Sequence, residues 1–193
     1  MILELAAIPL LALSTAGDLK CGSTVPFPGV PDLTPVVVMD GEVFAGDAET
    51  QAAQIAEIPK EDIHSINPTC WDPDTDEMPA RRGVAVIVIT TDQAVDRAEA
   101  DLRFLISAVR DFEAAQSRLP QSLADLGITG FAAERFDFAP SDAGLRLSTS
   151  GPRDYHCAVD GDVLAELEMR CESSVGLAKV KLREAYDRGA WVP

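Results

Sequence analysis

The stretch that most constrains the fold is VAVIVITT, residues 84–91, which follows Gly83. Its β-branched residues favour a strand, and apolar residues fill successive positions instead of alternating with polar ones. That pattern is typical of a strand buried on both faces. We therefore expect it inside a sheet that other elements cover on each side.

A second apolar run, VVVM at residues 36–39, is the candidate neighbour of that strand. Asp40-Gly41 follows it and predicts a tight turn, because glycine adopts positive φ at low cost. Residues 42–44 would then return as a short partner strand. Residues 47–57 carry good helix formers ahead of Pro59, and residues 63–67 fit another strand.

The second half of the chain changes its periodicity. Apolar residues at three- and four-residue spacing from Val95 to Phe112 predict an amphipathic helix of about six or seven turns, ending before Pro120. Period-two patterns follow in RFDFA, LRLST, YHCAV and VLAELEM, and Asp160-Gly161 predicts a tight hairpin. The segment VGLAKVKLREAYDRGAWVP closes the chain as a short helix, with Trp191 over the core.

These patterns predict an α+β fold in two modules. Residues 35–91 would form a small βαββ module, and residues 92–193 a long amphipathic helix packed on an antiparallel sheet. Residues 17–34, rich in Gly, Pro, Ser and Thr, would be an extended linker.

The N-terminal segment, residues 1–16, has two interpretations. Its apolar run from Leu5 to Leu13 precedes small residues, as in a secretory signal peptide, and is too short to cross a bilayer. Glu4 stands where such peptides carry a basic residue, so an apolar N-terminal arm touching the membrane or a partner is the alternative. Export would make the protein periplasmic or secreted.

Four cysteines suit an exported chain that forms two disulfides, and they allow three connectivities. We favour Cys21–Cys70 and Cys157–Cys171, because each pair stays within one half of the chain. Reduced, buried cysteines in a cytosolic protein are the alternative.

The formal net charge of −16 disfavours binding to nucleic acids and anionic lipids. The sequence lacks GxSxG, Walker A, GxGxxG and HExxH motifs, and nothing in the spacing of His64 and His156 suggests a catalytic pair. We predict no catalytic residue and no cofactor.

An acidic loop, DPDTDE at residues 72–77, is the one motif that suggests a metal. Carboxylates at Asp72, Asp74 and Asp76 could bind calcium, although Glu77 and Gly83 do not fit an EF-hand. The ordinary interpretation is a solvated acidic loop. If the loop has a function, we favour a contact surface for a basic partner, with an aromatic anchor in a polar rim. Its predicted residues are Trp71, Asp72, Asp74, Glu77 and Trp191.

Three blocks within residues 36–91 resemble the plug domain of TonB-dependent outer-membrane receptors. These are an apolar strand ending in Asp-Gly, a Pro-x-x-Asp-Ile-x-Ser-Ile segment, and a Gly-led apolar strand ending in Thr-Thr. The matching positions are Asp40, Gly41, Pro59, Asp62, Ile63, Ser65, Ile66, Gly83 and 84–91. The resemblance implies a plug-like fold and an envelope location. It does not imply receptor transport, because the family's run after the Ile strand is replaced by Asn67 and the acidic loop.

The second module more distantly resembles type IV pilins and pseudopilins. In that family a Pro-x-Ser-Leu-x-x-Leu segment follows the long helix, and Pro120, Ser122, Leu123 and Leu126 match it. The resemblance implies a helix on a sheet with a late disulfide. Filament assembly is not implied, because residues 93–118 are amphipathic and charged.

Together these features predict a non-catalytic, extracytoplasmic accessory or scaffolding subunit that docks on a larger envelope or membrane assembly. Two alternatives stay open: a periplasmic ligand- or calcium-binding module, and an enzyme of unrecognised type.

Overall fold

The computed structural model describes Cys21, Phe27 and residues 35–44, 47–141, 144–162 and 169–188. It divides into two compact units. The first contains residues 1–93 and 175–193, and the second contains residues 94–174. Helices and strands both contribute to the fold, and the second unit pairs a long helix with an antiparallel sheet, so the α+β prediction is confirmed.

The first unit contains a four-stranded sheet in the order β2-β1-β4-β3. β1 runs parallel to β4, and the other two pairings are antiparallel. The strands are β1 (Val36–Met39), β2 (Glu42–Phe44), β3 (Ile63–Trp71) and β4 (Val84–Thr91). Among its described residues the unit also contains the helices α1 (Ala48–Ala56) and α3 (Gly176–Arg188), and a 3-10 turn, Lys60–Asp62, precedes β3.

Both faces of the central strands are buried, which explains their uninterrupted apolar sequence. On one face Val36, Val38 and Val86 pack in a cluster with Leu182 of α3. On the other, residues of β1 and β4 pack in a cluster with Ile55 of α1. The strand that constrained the fold thus lies inside the sheet, with a helix on each side.

Helix α3 corrects the predicted module boundary. The sequence assigned all of residues 92–193 to the second module, but the chain returns to the first unit at residue 175. Ala178, Leu182 and Ala185 fill the face of the first sheet that α1 leaves open. Local periodicity predicted this helix but carried no information about which sheet would cover its apolar side.

The Asp-Gly turn after β1 is fastened to the end of β4. Asp40 and Gly41 have φ values of 47° and 85°, the left-handed pair that a type I′ hairpin turn requires. The Thr91 backbone N–H donates to Asp40 Oδ1 at 3.0 Å, and the Thr91 hydroxyl donates to Asp40 Oδ2 at 2.5 Å. Aspartate therefore serves here both as a turn residue and as a link between strands.

Strand β3 is longer than predicted. The sequence ended it at Asn67 because Pro68 has no N–H to donate, yet the ladder with β4 continues through Trp71. β3 lies at the edge of the sheet, where proline can leave the ladder intact.

The second unit is formed by most of α2 (Asp92–Gln116) and by a sheet in the order β5-β6-β7-β8, antiparallel throughout. The strands are β5 (Phe136–Ser141), β6 (Gly144–Thr149), β7 (Tyr155–Gly161) and β8 (Arg170–Ser173), with 3-10 turns at Leu123–Leu126 and Gly130–Arg135. Leu102, Leu105 and Val109 of α2 pack against one face of this sheet.

The predicted hairpin at Asp160-Gly161 is wrong. Both residues remain in β7, where Asp160 pairs with Arg146 and Gly161 with Leu145. Pairing with β6 outweighs the local turn preference of the dipeptide. The last strand, predicted at residues 163–169, is Arg170–Ser173, and residues 163–168 lie outside the described part of the chain.

Both favoured disulfides are present. Cys21–Cys70 attaches the N-terminal segment to β3 across a Cα–Cα distance of 5.8 Å, and Cys157–Cys171 joins β7 to β8 across 4.1 Å. Within the described residues, no helix combines the length and apolar character needed to cross a bilayer.

Candidate functional site

The predicted acidic loop is a tight hairpin, called the acidic hairpin below (residues 72–77). An antiparallel bridge between Asp72 and Glu77 closes it, with the Asp72 N–H donating to the Glu77 carbonyl at 3.1 Å. The Asp72 carboxylate also accepts from the Asp74 backbone N–H at 2.9 Å. Asp76 has a φ of 57°, which lets the chain reverse.

Trp71 cannot act as the exposed anchor that the sequence suggested. Its side chain is fully buried, and its ring lies 5.5 Å from Tyr186 and 6.2 Å from Phe27, measured between centroids. Its indole N–H donates to Asp76 Oδ1 at 3.0 Å. A large aromatic ring next to an apolar sheet removes more surface from water in the core than on a rim.

The acidic hairpin already has a basic partner, which is the chain's own helix α3. Lys179 Nζ lies 3.2 Å and Arg183 Nη2 3.4 Å from the Asp76 carboxylate. The guanidinium of Arg183 also stacks over Trp71, 5.1 Å from the ring centroid. On the other side of the hairpin, Arg82 Nε donates to Asp72 at 2.9 Å. These ion pairs within the chain offset the negative charge that the sequence analysis had assigned to contact with a basic partner protein.

The same contacts shift two carboxyl pKa values. The hydrogen bond from Arg82, followed by that from the Asp74 amide, lowers the pKa of Asp72 below its ordinary 3.8. Burial raises the pKa of Asp76, but the hydrogen bonds from Trp71 and Lys179 and the nearby positive charges outweigh it, so the pKa is lowered. Both groups are therefore charged at neutral pH.

The remaining predicted site residues fall into two groups. Asp74 and Glu77 are exposed at the hairpin, whereas Trp191 lies outside the described residues. In the part of the chain that the structure describes, no three His, Cys, Asp or Glu side chains are grouped to hold a metal ion. Calcium binding at Asp72, Asp74 and Asp76 remains a prediction, and the ion pairs of Asp72 and Asp76 would compete with it.

The second unit contains a pocket of about 680 Å³ that the sequence analysis did not predict. Residues of β5–β8 and the β6–β7 connection line it. It lies on the face of the sheet opposite α2, called the outer face below. Strand alternation places polar residues there because their neighbours point into the core. The outer-face residues of the described strands are Asp137, Ala139, Ser141, Gly144, Arg146, Ser148, His156, Ala158, Asp160, Arg170 and Glu172.

One row of outer-face residues crosses all four strands. The register pairs Asp137 with Ser148, Ser148 with Ala158, and Ala158 with Arg170. Adjacent strands lie about 4.8 Å apart, so the two ends of the row are separated by roughly 14 Å. The row has a carboxylate at one end, a guanidinium at the other, and two small side chains between them.

His156 occupies the neighbouring row, opposite Glu172. Its Nδ1 lies 3.2 Å from the Thr149 carbonyl oxygen, so the neutral ring carries its proton on Nδ1 and leaves Nε2 as an acceptor. The Ser148 hydroxyl donates to Asp137 over a long 3.4 Å, and not to His156. Among the described residues the pocket therefore has polar groups suited to binding but no paired nucleophile and base.

Comparison with known proteins does not indicate a function for this chain. No family model, no curated protein and no solved structure matches this chain. The resemblances to TonB-dependent receptor plugs and to pilins therefore stay predictions.

Proposed function

We propose that this protein is a non-catalytic, extracytoplasmic accessory subunit that docks on a larger envelope or membrane assembly through the outer face of its second sheet. The observation that carries the proposal is the outer-face pocket, because it combines charged and small polar residues without a nucleophile–base pair. Its opposite face is occupied by α2, so docking would leave the core undisturbed.

Two further observations support this role. Two disulfides are present: Cys21–Cys70 attaches the N-terminal segment to the edge strand of the first sheet, and Cys157–Cys171 joins two strands at the pocket. Such bonds persist in oxidising compartments. The acidic hairpin is no longer the main candidate for the docking surface, because Arg82 already pairs with Asp72 and residues of α3 pair with Asp76.

Purification from the native source at low and moderate salt tests the docking role. We expect other chains to co-purify with the wild type, and cross-links from them to reach β5–β8. Ala158→Arg, which fills the middle of the pocket, should abolish the association. Ala132→Arg makes the same change at an exposed position of a 3-10 turn away from the pocket, and should have no effect. Recovery of a lone monomer at both salt concentrations would refute the proposal.

Intact-mass measurement on the same sample tests the compartment. An oxidised protein is lighter than its reduced form by two hydrogens for each disulfide, and the mass also identifies the true N-terminus. Fully reduced cysteines in a sample alkylated at lysis would contradict an extracytoplasmic location.

An enzyme of unrecognised type is a second candidate, favoured only by the orientation of His156. The Thr149 carbonyl holds Nδ1, so Nε2 could accept a proton in the pocket. If His156→Ala abolished a turnover shown by the purified protein while leaving docking intact, the enzyme would replace the subunit as the preferred function.

A further inference from the structure

We propose that the outer face recognises an extended dipolar peptide segment of the partner, lying across the strands with a cationic group at Asp137 and a carboxylate at Arg170. This inference rests on the docking role proposed above and names the chemistry of the docked segment. It follows from the charges of the face, from its shape, and from the side chains it lacks.

The outer face contains two arginines, one that forms an ion pair with a described carboxylate and one that does not. Arg146 is paired with Asp160 on the same face, at 2.7 Å. Arg170 is exposed and has no carboxylate within ion-pair distance among the described residues. Asp137 likewise holds only the weak bond from Ser148. One cation and one anion are thus left at opposite ends of the same row, and a guanidinium can bind a carboxylate through two parallel hydrogen bonds.

The shape of the face fits an extended chain. Between its charged ends the row contains only the small side chains of Ser148 and Ala158. The Arg146–Asp160 pair borders one side of the row, and His156 with Glu172 borders the other. An extended peptide rises about 3.4 Å per residue, so two of its side chains four positions apart point to the same face and lie roughly 14 Å apart, which matches the separation of the charges.

The composition of the pocket favours a peptide over other ligands. Among the described residues no Phe, Tyr or Trp side chain lines it, so a sugar ring or a base would find no large stacking platform. Charges of both signs disfavour a phosphate-rich ligand. His156 Nε2 and the backbone of Gly151, which also lines the pocket, can exchange hydrogen bonds with a peptide backbone.

Titration of the isotope-labelled protein with short synthetic peptides tests this inference by the shifts of its backbone amide resonances. The probe is a lysyl-glycyl-glycyl-glycyl-glutamate peptide with both termini blocked, whose charged residues lie four positions apart and so have the required separation. The control peptide, lysyl-glutamyl-glycyl-glycyl-glycine, has the same composition with adjacent charges. We expect shifts confined to β5–β8, with binding of the spaced peptide at least about threefold tighter, as one exposed ion pair would give.

Protein variants then separate charge recognition from unfolding. Arg170→Glu should remove binding of the spaced peptide. Adding Asp137→Lys to it swaps the two charges and should restore binding, because the peptide can lie in the opposite direction. Arg103→Glu makes the same charge change on the exposed surface of α2, where Arg103 pairs only with Glu99, and should leave binding unchanged.

The outcomes also distinguish this inference from the docking role. Equal affinity for both peptides, or failure of the charge swap to restore binding, would overturn the peptide assignment. If Ala158→Arg still abolished native co-purification in that case, the docking role would stand with a partner surface of different chemistry. Loss of both would reject the outer face as a docking site.

Discussion

The placement of α3 on the first sheet predicts that Leu182→Ala destabilises the first unit. Leu182 is fully buried against β1 and β4, although nearly one hundred residues separate it from β4 in sequence. Truncation removes three carbons from a packed cluster that also contains Trp71 and Ala178. If α3 belonged to the second unit, as the sequence suggested, the first sheet would not respond.

The expected magnitude follows from that burial. A fully buried leucine loses its transfer free energy and leaves a cavity, which together cost about 3 kcal/mol in well-packed cores. For a chain of this length, each kcal/mol lowers the melting temperature by about 2–4 °C. We therefore expect a decrease of roughly 6–12 °C in the transition of the first unit.

Urea unfolding followed by tryptophan fluorescence measures the effect. The chain has two tryptophans, so the experiment uses a Trp191→Phe background in which Trp71 alone reports. Hydrogen exchange should show lost protection in β1 and β4. Val180→Ala, on the same helix but 38% exposed, is the matched control and should change the free energy of unfolding by less than about 1 kcal/mol.

An unchanged Trp71 transition in Leu182→Ala would refute the placement of α3. So would a loss of protection confined to the second sheet.

Three other predictions follow from single contacts. Gly83→Ala should lower the free energy of unfolding by at least about 2 kcal/mol in urea melts, because Gly83 has a φ of +116° and an added Cβ would lie 2.2 Å from the Trp71 carbonyl oxygen. Asp101→Asn should cost about 1–3 kcal/mol by the same measurement, because the largely buried Asp101 carboxylate pairs with Arg135 and, at 2.8 Å, with Arg153. The pKa of Asp72 is lowered in the folded protein, so the Asp72 carboxylate should stabilise the protein above its unfolded pKa of 3.8. This stabilisation should be lost as the pH falls through the folded-state pKa of Asp72, so the difference in urea midpoint between wild type and Asp72→Asn should shrink in acid.

Each of these predictions has its own check. Gly127→Ala adds a methyl group where nothing lies within 4 Å and should cost less than Gly83→Ala; an equal cost would show that the close approach to Trp71 is irrelevant. Asp125→Asn, near the exposed Arg118, should have a smaller effect than Asp101→Asn. A difference between wild type and Asp72→Asn that grew in acid would contradict the sign of the pKa shift.

The candidate site shows where sequence reasoning reached its limit. Alternation along LRLST and YHCAV correctly predicted strands, but it did not show that Ser148 and His156 would lie together on one face of a sheet. It did not predict that Arg170 would join them, because the last strand was placed at residues 163–169. Without the register of β8 against β7, the row from Asp137 to Arg170 could not be drawn.

The acidic hairpin failed for a different reason. The sequence analysis correctly identified an acidic loop next to a tryptophan, but it assumed that the acidic side chains and the tryptophan ring were both exposed. Burial of Trp71 and the pairing of Asp76 depend on Arg183, which is 107 residues away from Asp76 in sequence. A sequence pattern describes the charge of a loop and not which part of the chain will neutralise it.

The sequence alone predicted most of the strands and helices, the Asp-Gly turn at the end of β1 and the burial of VAVIVITT, because these depend on side chains within a few positions of one another. The favoured cysteine pairs were a choice among three connectivities, and the fold made that choice. Only the tertiary structure decided that α3 covers the first sheet, that the acidic hairpin is neutralised from within, and that a carboxylate and a guanidinium face outward across four strands. Those features arise from contacts between segments that are distant in sequence. The free energy of such a contact depends on which two surfaces meet, whereas the local helix or strand preference of each segment is the same whichever surface it packs against.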